Sequence, residues 1–248
     1  MTDPSKIYLL AAGSLRAVMP DIIQAYETAR LGKERPIHVV ADYASAGTLM
    51  RQIKGGRKCS VFASADMKNA SNVHAESHVG KVFCFAGNAI CAVLKEGLTT
   101  TPEEILGFLQ NNSFCIGTST PIFDPCGDYT KNILDRAGVC QKRRVYITGG
   151  LGKKEKRRNG MSDYAFSLIN GAVEVVLLYR TISQKVAQQS KGTIVSLPSE
   201  LEQPIHYGIT AIQPASHEAE DFIEFILSPL AQQMLTAQGF KAAPPSPV

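Results

Sequence analysis

The stretch Lys6 to Ala29, KIYLLAAGSLRAVMPDIIQAYETA, constrains the fold of this chain most. Ile7-Tyr8-Leu9-Leu10 is an apolar run of the length a buried strand takes. Ala11, Ala12, Gly13 and Ser14 follow, all small. Leu15, Val18, Met19, Ile22, Ile23 and Tyr26 then recur at helical spacing, so the segment predicts strand, tight turn and helix over 15–30. Ser14 falls at the N-cap position. A helix start carries unpaired N–H groups and the positive end of the macrodipole, so a start without bulky side chains suits an anion.

The chain repeats this device. Val39 to Tyr43 leads through Ala44-Ser45-Ala46-Gly47 into a helical pattern from Thr48. Phe114 to Gly117 leads through a loop to Cys126-Gly127-Asp128 and a pattern ending at Ala137. Asn159 to Asp163 opens a further pattern, Tyr164 to Asn170. If these starts converge, neutral donors would hold a compact oxyanion.

Strand-like runs alternate with helical patterns along all 248 residues, which argues an α/β fold with largely parallel sheets. That length can bury one large core or two smaller ones. Places for the chain to cross between lobes are Phe85-Ala86-Gly87-Asn88 and the run around Pro204-Ile205-His206-Tyr207. A return crossing makes the second lobe an insertion: 1–84 with 205–248 form one lobe, and 85–204 the other. Gly32, Gly138 and Gly239 sit where helices should stop, Thr101-Pro102 where one should start, and the tail Ala243 to Pro247 is expected to be disordered.

Several function classes find no support. No apolar run reaches the length of a membrane-spanning helix. MTDPSKIYLL lacks the basic start and long apolar stretch of a leader, so the expectation is a cytoplasmic protein or a chain that begins after leader removal. The net charge of +4 is concentrated in Lys142-Arg143-Arg144 and the stretch Lys153 to Arg158, which read as solvated loops. Without a broad basic stripe or interleaved aromatics, nucleic acid is not an expected partner. The six cysteines show no CxxC pair or zinc spacing, and Cys84, Cys91 and Cys115 lie in apolar runs that suit buried free thiols. Gly149 to Lys153 is like a P-loop in part, but the spacing fails at Ile147 and Lys154 stands where Ser or Thr would hold magnesium. His74 and His78 are spaced to share a helix face and read as exposed histidines. Asp66 reads as a helix N-cap. Tyr179 ends the run Val173 to Leu178 and reads either as a half-buried strand-end aromatic or as a hydroxyl facing a ligand crevice at a strand carboxyl end. No catalytic residue or side-chain metal ligand is assigned, and no cofactor.

In this order, AAGSLRAVMPDIIQAYE, YASAGTLMRQIKGG, VFASADMKNA, FAGNAICAVL, DPCGDYTKNIL and VVLLYRTIS resemble the molybdate-binding proteins of ABC importers, type II periplasmic binding proteins, over about residues 6 to 240. The resemblance implies a two-lobed α/β fold, each lobe a mostly parallel sheet flanked by helices, with molybdate or tungstate enclosed at the hinge and delivered to a membrane permease. It implies an extracytoplasmic monomer. Carried over by position, Ser14 would give hydroxyl and N–H, Ala46 an N–H with Ser45 beside it, Cys126 and Met161 an N–H each, and Tyr179 its hydroxyl. Ala46 replaces a usual serine, Ser60 a usual acidic residue, Arg180-Thr181-Ile182 a usual small residue and Asp, and the basic stretch Lys153 to Arg158 is unusually long. A site of donors alone would reject a protonated anion, whose O–H would stay unpaired. The rival readings are the same fold binding sulfate or a small organic anion, and a cytoplasmic anion sensor or enzyme on this fold.

Overall fold

A computed structural model describes residues 6–31, 36–77, 81–148, 160–212 and 214–243, with the side chains of 74–77 also outside it. The expectations for Gly32, His74, His78, 149–158 and the tail beyond Ala243 therefore lie outside the described residues or side chains. The chain divides into two units, Met1–Asn88 with Ile205–Val248, and Ala89–Pro204. The first crossing falls at Asn88 rather than at residue 84, because Phe83–Asn88 runs on as one strand paired with Ile205–Ala211.

In the first unit, numbered along the chain, β1 (Lys6–Ala12) passes through a 3-10 turn (Gly13–Leu15) to α1 (Met19–Ala29). Then come β2 (His38–Ala44), α2 (Ala46–Lys54), β3 (Val61–Ser64), α3 (Met67–Ser77) and β4 (Phe83–Asn88). The chain returns as β10 (Ile205–Ala211), α8 (His217–Leu227) and α9 (Pro229–Ala237). The sheet order is β2-β1-β3-β10-β4. β1 pairs parallel with β2 and β3, while β10 pairs antiparallel with β3 and β4, so the sheet is mostly parallel as expected, with β10 running against the other four strands. The returning strand causes this, since it enters at the edge where β1, β2 and β3 end.

α1 begins four positions later than the apolar spacing predicts, because the 3-10 turn takes up Gly13 to Leu15 and Pro20 then starts the helix. Its buried face is Met19, Ile22 and Tyr26. Tyr26 packs edge-on against Phe222 of α8 at 4.9 Å between ring centroids, and its hydroxyl donates to Asp221 Oδ2 at 2.8 Å. Burying a side chain of this kind contributes about 1.5–3 kcal/mol. Asp66 caps α3 as expected: its Oδ1 accepts from the Asn69 N–H at 2.9 Å and from Ser64 Oγ at 2.8 Å. Ser60 Oγ accepts from the Tyr8 N–H at 3.1 Å, so the departure at Ser60 serves to tie β1 to the start of β3.

In the second unit β5 (Ile90–Leu94) is followed by α4 (Ile105–Gln110), β6 (Ile116–Ser119), α5 (Pro125–Arg136) and β7 (Arg144–Thr148). α6 (Asp163–Ile169), β8 (Val175–Tyr179), α7 (Arg180–Ser190) and β9 (Thr193–Ser196) complete it. The order is β7-β6-β8-β5-β9, parallel across β7, β6 and β8 and antiparallel where β5 meets β8 and β9. This sheet too is mostly parallel, with β5, which enters from the crossing, running against the other four strands. The core gathers Val93, Val176 and Leu178 of the sheet with Tyr164, Ala165 and Leu168 of α6 and Val186 of α7. α7 is an element the spacing of apolar residues does not announce. Its buried positions are Ser183, Val186 and Ser190, two of them polar. All six cysteines are free; Cys91 is buried as expected, whereas Cys84 and Cys115 are half-buried.

Candidate functional site

In the first unit Ser14 follows β1 and Ala46 follows β2, and the two strands pair in register up to Ala12 and Ala44. Their carboxyl ends therefore bring Ser14 beside Ser45 and Ala46. Arg16 fixes the junction: its Nη2 donates to the Tyr43 carbonyl at 2.9 Å, and its guanidinium lies over the Tyr43 ring. Ser45 spends its hydroxyl on Thr48 Oγ1 at 2.8 Å, and no side chain caps the first turn of α2. Ala46 is buried and Ser14 half-buried. Ser14 Oγ lies 2.8 Å from the hydroxyl of Tyr207, which also accepts from Asn88 Nδ2 at 3.0 Å. Sequence reasoning missed Tyr207 and Asn88, although both stand at the crossings it named.

In the second unit Cys126 and Tyr179 are neighbours at the carboxyl edge of the sheet. Burial pushes the Cys126 thiol far above the ordinary thiol range, and the Asp124 carboxylate adds to this. The side chains of Ser119 and Tyr164 and the backbone of Tyr179 offset part of the effect. Burial likewise raises Tyr164 well above the usual phenol range, helped by charge on Cys126 and Asp124. Ser119 Oγ is buried beside them, close enough to act on both groups but with no hydrogen bond of ordinary geometry among the described residues. Tyr179 is buried, meets the Tyr129 ring edge-on at 6.5 Å, and ends β8 where α7 begins. Met161 packs on the core cluster of this unit. Its segment is held from α7, where Gln189 Oε1 accepts from the Ser162 N–H at 2.8 Å and Nε2 donates to the Gly160 carbonyl at 3.2 Å.

The start of α5 is closed by its own cap. Asp124 Oδ1 accepts from the Cys126 N–H at 3.0 Å, and the Asp124 carbonyl accepts from the Gly127 N–H at 2.8 Å. The Cys126 N–H, expected to serve an anion, is thus engaged with a carboxylate. Asp-Pro before a helical run is a start signal in the sequence that points to this cap. Gly127 is needed here because a Cβ would lie 2.5 Å from the Thr120 carbonyl carbon, so the β6–α5 loop folds directly over the helix. Arg180 departs from the small residue of the resemblance and turns outward, donating from Nη1 to Ser196 Oγ at 3.0 Å.

Comparison with known proteins agrees with this architecture. The periplasmic molybdate-binding protein of Azotobacter vinelandii superposes with a TM-score of 0.73, at 19% identity, over 96% of this chain and 100% of that one. The sulfate-binding protein SubI of Mycobacterium tuberculosis gives 0.74 at 13% identity, over 98% and 88%. Peb3 of Campylobacter jejuni with bound L-phospholactate gives 0.70 at 13%, over 95% and 99%. The molybdate-binding protein ModA of Escherichia coli is 22% identical over 97% of this chain and 90% of its own length. The fold is the periplasmic binding protein fold. The sequence model of the family described as bacterial extracellular solute-binding protein matches residues 7–241, and the chain belongs to that family.

Proposed function

We propose that this chain is the extracytoplasmic binding component of an ABC importer and that its ligand is a tetrahedral oxyanion, molybdate or tungstate. The groups at each carboxyl edge that we assign to the anion are Ser14 and Ala46 in the first unit and Met161 and Tyr179 in the second, with Cys126 beside them, its N–H held by Asp124. The observation that carries the reading is the pairing of these positions. Residues far apart in sequence fall side by side, Ser14 with Ala46 and Cys126 with Tyr179, at sheet edges where helices begin. The molybdate-binding relatives give the same direction. The reading is capture and delivery to a permease, in keeping with the solute-binding family to which the chain belongs. Isothermal titration with molybdate, tungstate, sulfate and phosphate at one pH and salt tests it. Heat with the first two alone supports it, and no heat with either overturns it.

One observation favours a second reading. The Asp124 carboxylate occupies the first turn of α5 and takes the Cys126 N–H. A carboxylate there repels a fully deprotonated dianion and accepts from a ligand that carries an O–H. Hydrogen phosphate or a singly protonated phosphomonoester fits such a group, and Peb3, of the same fold, is solved with L-phospholactate bound. Phosphate and phospholactate in the same titration distinguish the two readings.

A further inference from the structure

We infer that Arg16 is the specificity-determining cation of the first unit's edge: a guanidinium fixed at the root of Ser14 and Ala46 that raises their affinity for a dianion through its charge rather than by contact. The inference rests on the reading of Ser14 and Ala46 as anion contacts. It adds what lets donors without charge favour a doubly charged ligand.

Neutral N–H and O–H groups hold an anion at short range, whereas a charge acts on it from further away. Arg16 stands two residues after Ser14, at the close of the 3-10 turn, where its own N–H donates to the Gly13 carbonyl at 3.2 Å. Its side chain runs across to β2. Nη2 donates to the Tyr43 carbonyl at 2.9 Å, and the guanidinium lies over the Tyr43 ring, 4.9 Å from the centroid. Tyr43 pairs with Ala11 of β1, one position before both strands end. Ser14 is three positions beyond Ala11, and Ala46 three beyond Tyr43. The cation is thus anchored where both contacts leave the sheet.

Its charge is not matched there. Two other arginines of this unit have carboxylate partners, Arg57 with Asp42 and Arg30 with Asp221. Arg16 joins no ion pair among the described residues; its contacts are a carbonyl and a ring. The Arg57 hydrogen bond is the main cause that holds the Asp42 carboxyl below its ordinary range, and the charge of Arg16 is the least. Arg16, Arg57 and Asp42 together leave one positive charge at the end of β2. Ring stacking keeps that charge in place on an otherwise exposed side chain. Its field reaches the protein as well: burial raises the Tyr43 phenol, and Arg16 opposes the rise. Capping one carbonyl needs a donor but no charge, so the charge is the part that capping does not explain.

The test is titration calorimetry at pH 8 with whichever of molybdate, sulfate and phosphate binds the wild-type protein most tightly, each being mostly a dianion there. Wild type, Arg16→Gln and Arg16→Lys are compared at about 20 mM and about 500 mM sodium chloride, long and short screening lengths respectively. Gln keeps a donor for the Tyr43 carbonyl and loses the charge; Lys keeps the charge and loses the planar fork. Arg16→Gln should weaken binding by about fivefold at low salt and by less than about twofold at high salt, while Arg16→Lys stays within about twofold of wild type at both. Wild-type affinity in Arg16→Gln overturns the inference. Equal losses at both salts, or a loss in Arg16→Lys as large as in Arg16→Gln, would mean that Arg16 acts by contact or by holding Tyr43, and would overturn it too. Wild-type affinity in Ser14→Ala is a separate result: it removes this edge from the site, fails the underlying reading and takes the inference with it. A ligand-free measurement checks the placement of the charge. In protein labelled at tyrosine Cζ, with the Tyr43 signal identified by its loss in Tyr43→Phe, the Tyr43 phenol should titrate at higher pH in Arg16→Gln than in wild type or Arg16→Lys. No difference would put the cation elsewhere and overturn the inference.

Discussion

The two units carry their candidate anion contacts on the same kind of frame, a mostly parallel sheet whose strand ends feed helices, yet they equip them differently. At the edge of the first unit the Ser14 hydroxyl lies 2.8 Å from that of Tyr207, and α2 starts with no side-chain cap and no acidic residue in its first turn. At the edge of the second unit α5 starts with its own carboxylate in place. The first helix start carries no side-chain charge of its own. The second already holds a negative charge where the macrodipole would attract one. The contrast shows that a helix start with small residues is not by itself an anion site; what occupies its first N–H groups decides.

The largest effect should come from breaking the second unit alone. Gly127→Val would drive a side chain into the backbone of Thr120 and Pro121, and should cost about 3 kcal/mol or more. Chemical denaturation should then show an early transition for the second unit, while the Tyr26 environment of the first unit unfolds as in the wild type. Next in size, Ser14→Ala should lower anion affinity by about ten- to a hundredfold with little change in melting temperature, because it removes a charge-assisted bond from a half-buried edge. Titration calorimetry beside a thermal melt checks both halves of that statement.

Asp124→Asn sharpens the comparison most directly. Asparagine caps a helix about as well as aspartate, so stability should change by about 0.5 kcal/mol or less. Molybdate affinity should rise several-fold once the charge is gone, whereas affinity for hydrogen phosphate should fall if the carboxylate accepts its proton. The sign of the change tells which of the two readings holds.

The smallest effects are those of the thiols. Burial pushes Cys59 up to about 12 and raises Cys126 further, with the Asp124 carboxylate adding to the latter, while Cys140 is exposed. A disulfide reagent at pH 8 should label Cys140 first and leave Cys59 and Cys126 unreacted until the protein unfolds. The folded-state value of Cys59 lies above its ordinary value of 9.0. Its contribution to stability is therefore complete below about pH 9 and is lost as the pH climbs towards 12. Denaturation midpoints across that window should fall, and less so in Cys59→Ala.

Much of the frame was legible because its signals are local. The apolar run of β1, the small turn, the Val175–Tyr179 strand and the cap at Asp66 each follow from a few adjacent residues. α7 was not legible, since a helix that buries Ser183 and Ser190 beside Val186 has no apolar stripe to read. The chain crosses at the last residue of the run Phe85-Ala86-Gly87-Asn88 named from the sequence, because the Gly87 N–H donates to the Lys241 carbonyl at 2.7 Å and keeps the run in the strand. The candidate contacts came from resemblance, and the structure then set each among its neighbours. The group behind Ser14 was out of reach for a different reason: its hydroxyl partner lies 193 positions away, and nothing in the residues around either position signals the other.

That separation has a consequence for how the protein is made. The segment 89–204 forms a unit whose chain is continuous and is synthesised whole before β10 appears. The other unit lacks an interior strand of its sheet until residues 205–211 have left the ribosome. The edge that presents Ser14 is encoded first and finished last. A chain cut short after residue 204 would hold a complete second unit joined to a first unit whose β3 and β4 have lost the strand that joins them.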